Sequence, residues 1–188
     1  MRALWIIMLS SWSFSAVAND VLWESLRRDS NMVVLMRNAE STGNRDRANM
    51  LVWDSTGKCV GESMLTASGR SQARRIGAEF EKRGIQATVI SSPMCRCTET
   101  AKIAFGKYLT DPVLRQYPLD DVQGQASFHE VASALLSKYR GESPIVFVNH
   151  RPNIDTLTME LVNIGELLVG TVTKDGEIDV LGKIRLEQ

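Results

Sequence analysis

Met32–Ser41 reads MVVLMRNAES, and this stretch decides the fold. Met32 to Met36 is an unbroken apolar run of strand length, without the polar alternation of a half-exposed strand. Such a run suits a strand buried on both faces, as in a parallel sheet covered by helices. It ends abruptly in Arg37-Asn38. Two later segments repeat the form. Thr88–Ile90 runs into Ser91-Ser92-Pro93, with Arg96 one turn further on, and Ile145–Val148 runs into Asn149-His150.

Helices are expected between these strands. A short amphipathic helix over residues 20–29 presents Val21, Leu22 and Leu26 on one face. In the segment 67–83, Ser68 serves as N-cap, Ala73, Ile76 and Phe80 form the apolar stripe, and Gly84 ends the helix. Pro93 suits the first turn of a helix running to Phe105, closed by Gly106. Ser127 and Glu130 form a capping box for a helix through Tyr139. Ile154 to Val162 is read as helical, Val113–Tyr117 as an edge segment. Residues 167–173 and 177–186 read as closing strands turned by Lys174-Asp175-Gly176. Strands alternating with helices give an α/β fold with a mostly parallel sheet covered on both sides. Ligands in such sheets bind beyond the carboxyl ends of the strands.

Those ends gather Arg37, Arg96 and His150 on one edge. A guanidinium presents a planar fork of donors that matches phosphate oxygens. The start of the helix after Pro93 adds backbone N–H groups and a favourable dipole. Two arginines and an imidazole meeting there suit a small phosphorylated ligand.

The 188 residues suggest one domain, and formal net charge is zero, which gives no support to nucleic-acid binding. Residues 1–18 read as a signal peptide, with Arg2 as the positive region, an apolar stretch from Leu4 to Leu9, and Ala16-Val17-Ala18 as cleavage site. The apolar run is too short to span a bilayer. The expected product is a single domain over 19–188, periplasmic or secreted. Export makes disulfides permissible, and Cys59 is expected to pair with either Cys95 or Cys97. No metal-ligand spacing is present.

With these residues in view, the chain resembles the histidine phosphatases. That family opens with a strand running into Arg-His-Gly or Arg-His-Ala, often followed by Glu. LMRNAES supplies Arg37, Ala39 and Glu40, with Asn38 in the place of the histidine. LTASGRSQARRIG resembles the family's Gly-x-Gln-Ala helix, SSPMCRCTETA its Ser-Ser-Pro block, and NHRPNI its second-histidine segment. The resemblance implies a phosphoglycerate mutase-like three-layer α/β/α sandwich and phosphomonoester hydrolysis without metal or cofactor. In the family the first histidine attacks phosphorus, while two arginines and a second histidine hold the phosphoryl oxygens. Arg37, Arg96 and His150 match the holding residues, and Asn38 stands at the nucleophile position. Asp120 or Asp121 falls where a proton donor is expected. Glu40 is read as structural, and His129 as a surface residue. Small exported members imply an envelope sugar phosphate as substrate or ligand. The lone pair of the Asn38 amide nitrogen is delocalised and makes no usable nucleophile. The expectation is therefore an inactive or very weak phosphatase, through natural divergence or an inactivating substitution. The alternative is a non-catalytic binder of phosphorylated sugars or lipid headgroups.

Overall fold

The apolar run at Met32 becomes strand β1 (Met32–Arg37), in the interior of a six-stranded sheet. The computed structural model describes residues 13–43 and 50–186. Around β1 the chain runs α1 (Ser13–Arg28), α2 (Ala67–Lys82), β2 (Thr88–Ser91), α3 (Cys95–Phe105), β3 (Leu109–Thr110), α4 (Val122–Tyr139), β4 (Ile145–Asn149), α5 (Arg151–Thr158), β5 (Glu166–Val172) and β6 (Ile178–Arg185). The strand order is β3-β2-β4-β1-β5-β6. The pairings β1/β4, β2/β4 and β2/β3 are parallel, and β5 runs antiparallel to both β1 and β6.

The period-two geometry of a strand divides β1 between two cores. Met32, Val34 and Met36 meet Trp23, Leu26, Ile76 and Phe80 from α1 and α2. Val33 and Leu35 meet Phe128, Ala132 and Leu136 of α4 and Ile154 of α5. This is the expected mostly parallel sheet with a helical layer on each face.

Several boundaries differ from the sequence expectation, each for a local reason. The first helix begins at Ser13, upstream of residue 20, and runs unbroken past Ala18; residues 1–12 of the expected leader lie outside the described residues. Thr66, not Ser68, caps α2, because its hydroxyl accepts the Gly69 N–H at 3.0 Å. The helix after Pro93 starts at Cys95: Met94 is extended, and Ser92 Oγ takes its N–H at 3.3 Å, holding a turn where a helix was expected. Ser127 and Glu130 lie inside α4, whose cap is Asp121, accepting from Gly124 N at 2.8 Å. The edge strand is Leu109–Thr110, and Pro112–Leu114 forms a 3-10 turn instead of extended structure. The helix expected over Ile154–Val162 starts at Arg151 and stops where Met159 turns left-handed at φ 55°.

Candidate functional site

Register places the candidate residues. Arg37 of β1 pairs with Asn149 of β4, so the next residues, Asn38 and His150, leave the sheet side by side. Asn38 N–H donates to the Asn149 carbonyl at 3.0 Å, and Ala39 N–H to Thr100 Oγ1 of α3, also at 3.0 Å. Ser92, just beyond β2, donates its backbone N–H to the Val148 carbonyl of β4 at 2.9 Å. Arg96, in the first turn of α3, thereby comes over the end of the same edge.

The side chains meet. Arg96 Nη2 lies 3.0 Å from His150 Nδ1, and Ser92 Oγ lies 2.8 Å from His150 Nε2. A guanidinium has no acceptor, so Nδ1 must accept; the ring proton therefore sits on Nε2 and is donated to Ser92. His150 is neutral in this arrangement. Burial first, then the charges of Arg96 and Arg37, hold its pKa well below the ordinary 6.5. The Cys97 sulfur lies 3.7 Å from both ring nitrogens, and burial pushes that thiol up to about 12, so it stays protonated.

Arg96, Asn38 and His150 are almost fully withdrawn from solvent, at 0%, 2% and 1% exposure. Burial lowers the pKa of Arg96, against the opposing influence of Cys97 and Glu62. Burial also lowers that of Arg37, followed by repulsion from Arg151. Arg96 Nη2 donates to the Met50 carbonyl at 2.9 Å and to Gln116 Oε1 at 3.0 Å. Yet Arg96 Nε, Arg96 Nη1 and Arg37 Nε are buried with no hydrogen-bond partner among the described residues. Buried donors without partners are rare, because each carries an uncompensated desolvation penalty.

Two loops cover these groups. One, residues 50–64, is fastened at the start of α3 by the Cys59–Cys95 disulfide, which resolves the open pairing and leaves Cys97 as a buried free thiol. Glu62 reinforces the fastening: its Oε2 accepts Cys95 N–H at 2.7 Å and its Oε1 accepts Asp54 N–H at 2.8 Å. The other, residues 111–121, delivers Gln116. Neither Glu62 nor Gln116 was singled out from sequence. Glu62, three residues from a cysteine, carried the weak signal of an acid in a constrained loop; Gln116 carried none.

Asp121 is occupied as the cap of α4, and Asp120 is exposed in the preceding turn. Among the described residues, no carboxylate forms a hydrogen bond or ion pair with Arg37, Arg96 or His150, and neither of these aspartates joins that group. Glu40 Oε1 accepts from the Thr66 hydroxyl at 2.6 Å, a bond that ties β1's exit to the start of α2. His129 lies within α4 and is partly exposed. No group of ligating side chains suited to a metal occurs among the described residues.

Residues 33–134, more than half of the chain, match the sequence profile of the histidine phosphatase superfamily (branch 1). The chain belongs to the histidine phosphatase superfamily. No curated protein matches it by sequence. Several solved structures share its fold. The protein histidine phosphatase SixA, complexed with tungstate, superposes with a TM-score of 0.57 at 15% identity, covering 82% of this chain and 96% of the other. Phosphoserine phosphatase from Entamoeba histolytica, solved with 3-phosphoglyceric acid, gives 0.58 at 17%, covering 83% and 98%. TTHB049 from Thermus thermophilus gives 0.58 at 20%, covering 82% and 99%. At these identities the likeness establishes the phosphoglycerate mutase-like fold alone.

Proposed function

We propose that this histidine phosphatase scaffold holds a phosphoryl group between Arg37, Arg96 and His150, and that Asn38 at the nucleophile position leaves it with little or no turnover. One observation carries the reading. Three guanidinium nitrogens of Arg37 and Arg96 lie buried without partners among the described residues, beside a neutral imidazole. A phosphoryl dianion would supply the missing acceptors and offset both cationic charges. It would also raise the His150 pKa, so that binding takes up a proton.

What is absent is the attacking group. The Asn38 amide keeps its Nδ2 donated to the neighbouring Ala39 carbonyl at 2.9 Å and has no nucleophilic lone pair. Losing an essential nucleophile costs several powers of ten in rate. Asn38→His is therefore expected to raise hydrolysis of para-nitrophenyl phosphate by at least about a hundredfold. A correctly folded variant with no gain would refute the idea that this scaffold lacks only its nucleophile.

The same amide favours a second reading, a binder that captures a phosphorylated ligand, such as an envelope sugar phosphate, without hydrolysing it. Calorimetric titration of the unaltered protein with inorganic phosphate tests the pocket directly. Binding is expected and should vanish in Arg96→Ala; affinity indifferent to that change would sink both readings. The ligand class and the periplasmic or secreted location rest on the resemblance to small exported members and on the leader-like residues 1–18.

A further inference from the structure

We propose that Asn149 is a further contact to the ligand's phosphoryl group, its amide nitrogen donating to an oxygen that Arg37 Nε also reaches. This rests on the phosphate-holding role of Arg37, Arg96 and His150 and adds a fourth side chain to it.

Register and period place the two groups together. Arg37 and Asn149 are partners in the parallel pairing of β1 with β4. Val33 and Leu35 of β1, and Ile145 and Phe147 of β4, all enter the core shared with α4 and α5. Arg37 and Asn149 follow Leu35 and Phe147 by two residues, so they project from that same face. Their strands lie about 4.8 Å apart. Asn149 is fully buried.

The amide has one orientation open to it. Asn149 Oδ1 accepts the His150 main-chain N–H at 2.8 Å and Asn153 Nδ2 at 2.9 Å. A main-chain N–H can only donate, so turning the amide over would set Nδ2 against a donor. Asn153 is itself pinned, because it also donates to the Arg115 carbonyl at 3.1 Å. Asn149 Nδ2 is therefore aimed away from both neighbours. It is buried with no hydrogen-bond partner among the described residues, and Arg37 Nε shares that condition. Two adjacent buried donors facing no acceptor each carry a desolvation penalty. Arg151, at the start of α5, adds a like charge that repels Arg37. A neutral acceptor would satisfy both N–H groups and leave the charge unmatched, whereas a phosphoryl oxygen answers both needs.

A contact made only of donors has a chemical consequence. It takes an oxygen that carries no proton, so phosphate and sulfate suit it alike. A carboxylate in the same place would require the anion to donate, which hydrogen phosphate can do and sulfate cannot.

Asn149→Asp tests this, since it keeps the oxygen that His150 and Asn153 require and changes only the group facing the anion. Calorimetry at pH 7 compares inorganic phosphate with sulfate on the unaltered protein and on the variant. Both affinities should fall in the variant, that for sulfate at least about tenfold further. Equal losses would mean that the new charge acts from a distance, and unchanged affinities that it acts on nothing; either overturns the proposal. A second measurement needs no substitution. In the unaltered protein the Asn149 side-chain amide resonances, assigned through their own Cβ, should move downfield as phosphate saturates the site. Resonances that stay in place at saturation would overturn the proposal even if Asn149→Asp does not fold. Failure of phosphate to bind the unaltered protein removes the pocket and this contact with it, whereas binding to which Asn149 is indifferent removes the contact alone.

Discussion

At His150 the environment decides the chemistry. A histidine of ordinary pKa would be partly charged near neutrality, but here burial and two guanidiniums keep the ring neutral. The consequence for stability has a definite sign. As pH falls through about 6.5 the unfolded chain takes up a proton that the folded chain refuses until well below that value. The unfolded state then binds more protons, so the fold loses stability below that pH, and above it His150 exacts no such penalty. His150→Gln removes this loss. Urea denaturation of both proteins at pH 7.5 and 5.0 should show the variant gaining on the parent by up to about 2 kcal/mol across that interval. A pH-independent difference would mean that the ring titrates in the fold as it does in the unfolded chain, and a difference of opposite slope that it is held charged there. Arg37, Arg96 and His150 were legible in the sequence because each follows closely on a buried strand, where direction is fixed by the sheet. Gln116, Glu62 and the Met50 carbonyl were not. They come from loops whose paths depend on tertiary contacts, and a main-chain carbonyl has no residue type by which to recognise it.

Helix α3 shows how an element can be read correctly in type and still start two residues late. Its run to Phe105 and Gly106 terminus were plain, yet Ser92 diverts the chain and delays its start to Cys95. That delay puts Cys95 in the first helical position, where its N–H has no partner in the helix and Glu62 supplies one. It also turns Cys97 toward His150 and leaves Cys95 facing the 50–64 loop, which settles a pairing that spacing left open. The loop itself exposes Leu51, Val52 and Val60 and so has little apolar burial to hold it. Its anchorage depends on the disulfide and Glu62. Closing a loop of sequence separation 36 restricts the unfolded chain, so Cys59→Ser should lower stability by about 3–4 kcal/mol. The same change should speed amide exchange selectively over residues 50–64, since those residues lose their tether. Exchange there matching the bridged protein would show that Glu62 and Arg96 hold the loop unaided. The capping of α4 was missed for a related reason. Asp121 and Ser127 both suit the role, and Asp121 wins by adding a turn and a half of helix packed beside Leu114 and Tyr117.

Across the whole molecule, balanced composition hides how individual charges are paired. Net charge is zero, yet no ion pair among the described residues involves Arg37, Arg96, Arg115 or Arg151, while other arginines and Lys183 have carboxylate partners elsewhere. Composition could not reveal this, because it sums over faces that the fold separates. The layered architecture was legible, since three buried apolar runs alternating with helical stripes leave few other arrangements. The N-terminal boundary joins these scales. Residues 1–18 read as a leader, while α1 runs continuously from Ser13 to Arg28. Side chains beyond Ala18 seat this helix. Trp23 packs edge-on against Phe80 at 5.2 Å, with Arg83 over its ring at 4.3 Å, and Leu26 is fully buried. Cleavage after Ala18 would shorten the helix and spare this anchorage. The 188-residue chain, expressed from Met1 in a Gram-negative host, is therefore expected in the periplasmic fraction. Mass spectrometry should find Asn19 first and the Cys59–Cys95 bridge intact. Its thermal midpoint should match that of a protein begun at Asn19 and refolded under oxidising conditions. An intact chain recovered from the cytosol with residue 1 in place would contradict export. A midpoint several degrees lower for the shortened protein would instead show that residues before Asn19 belong to the folded domain.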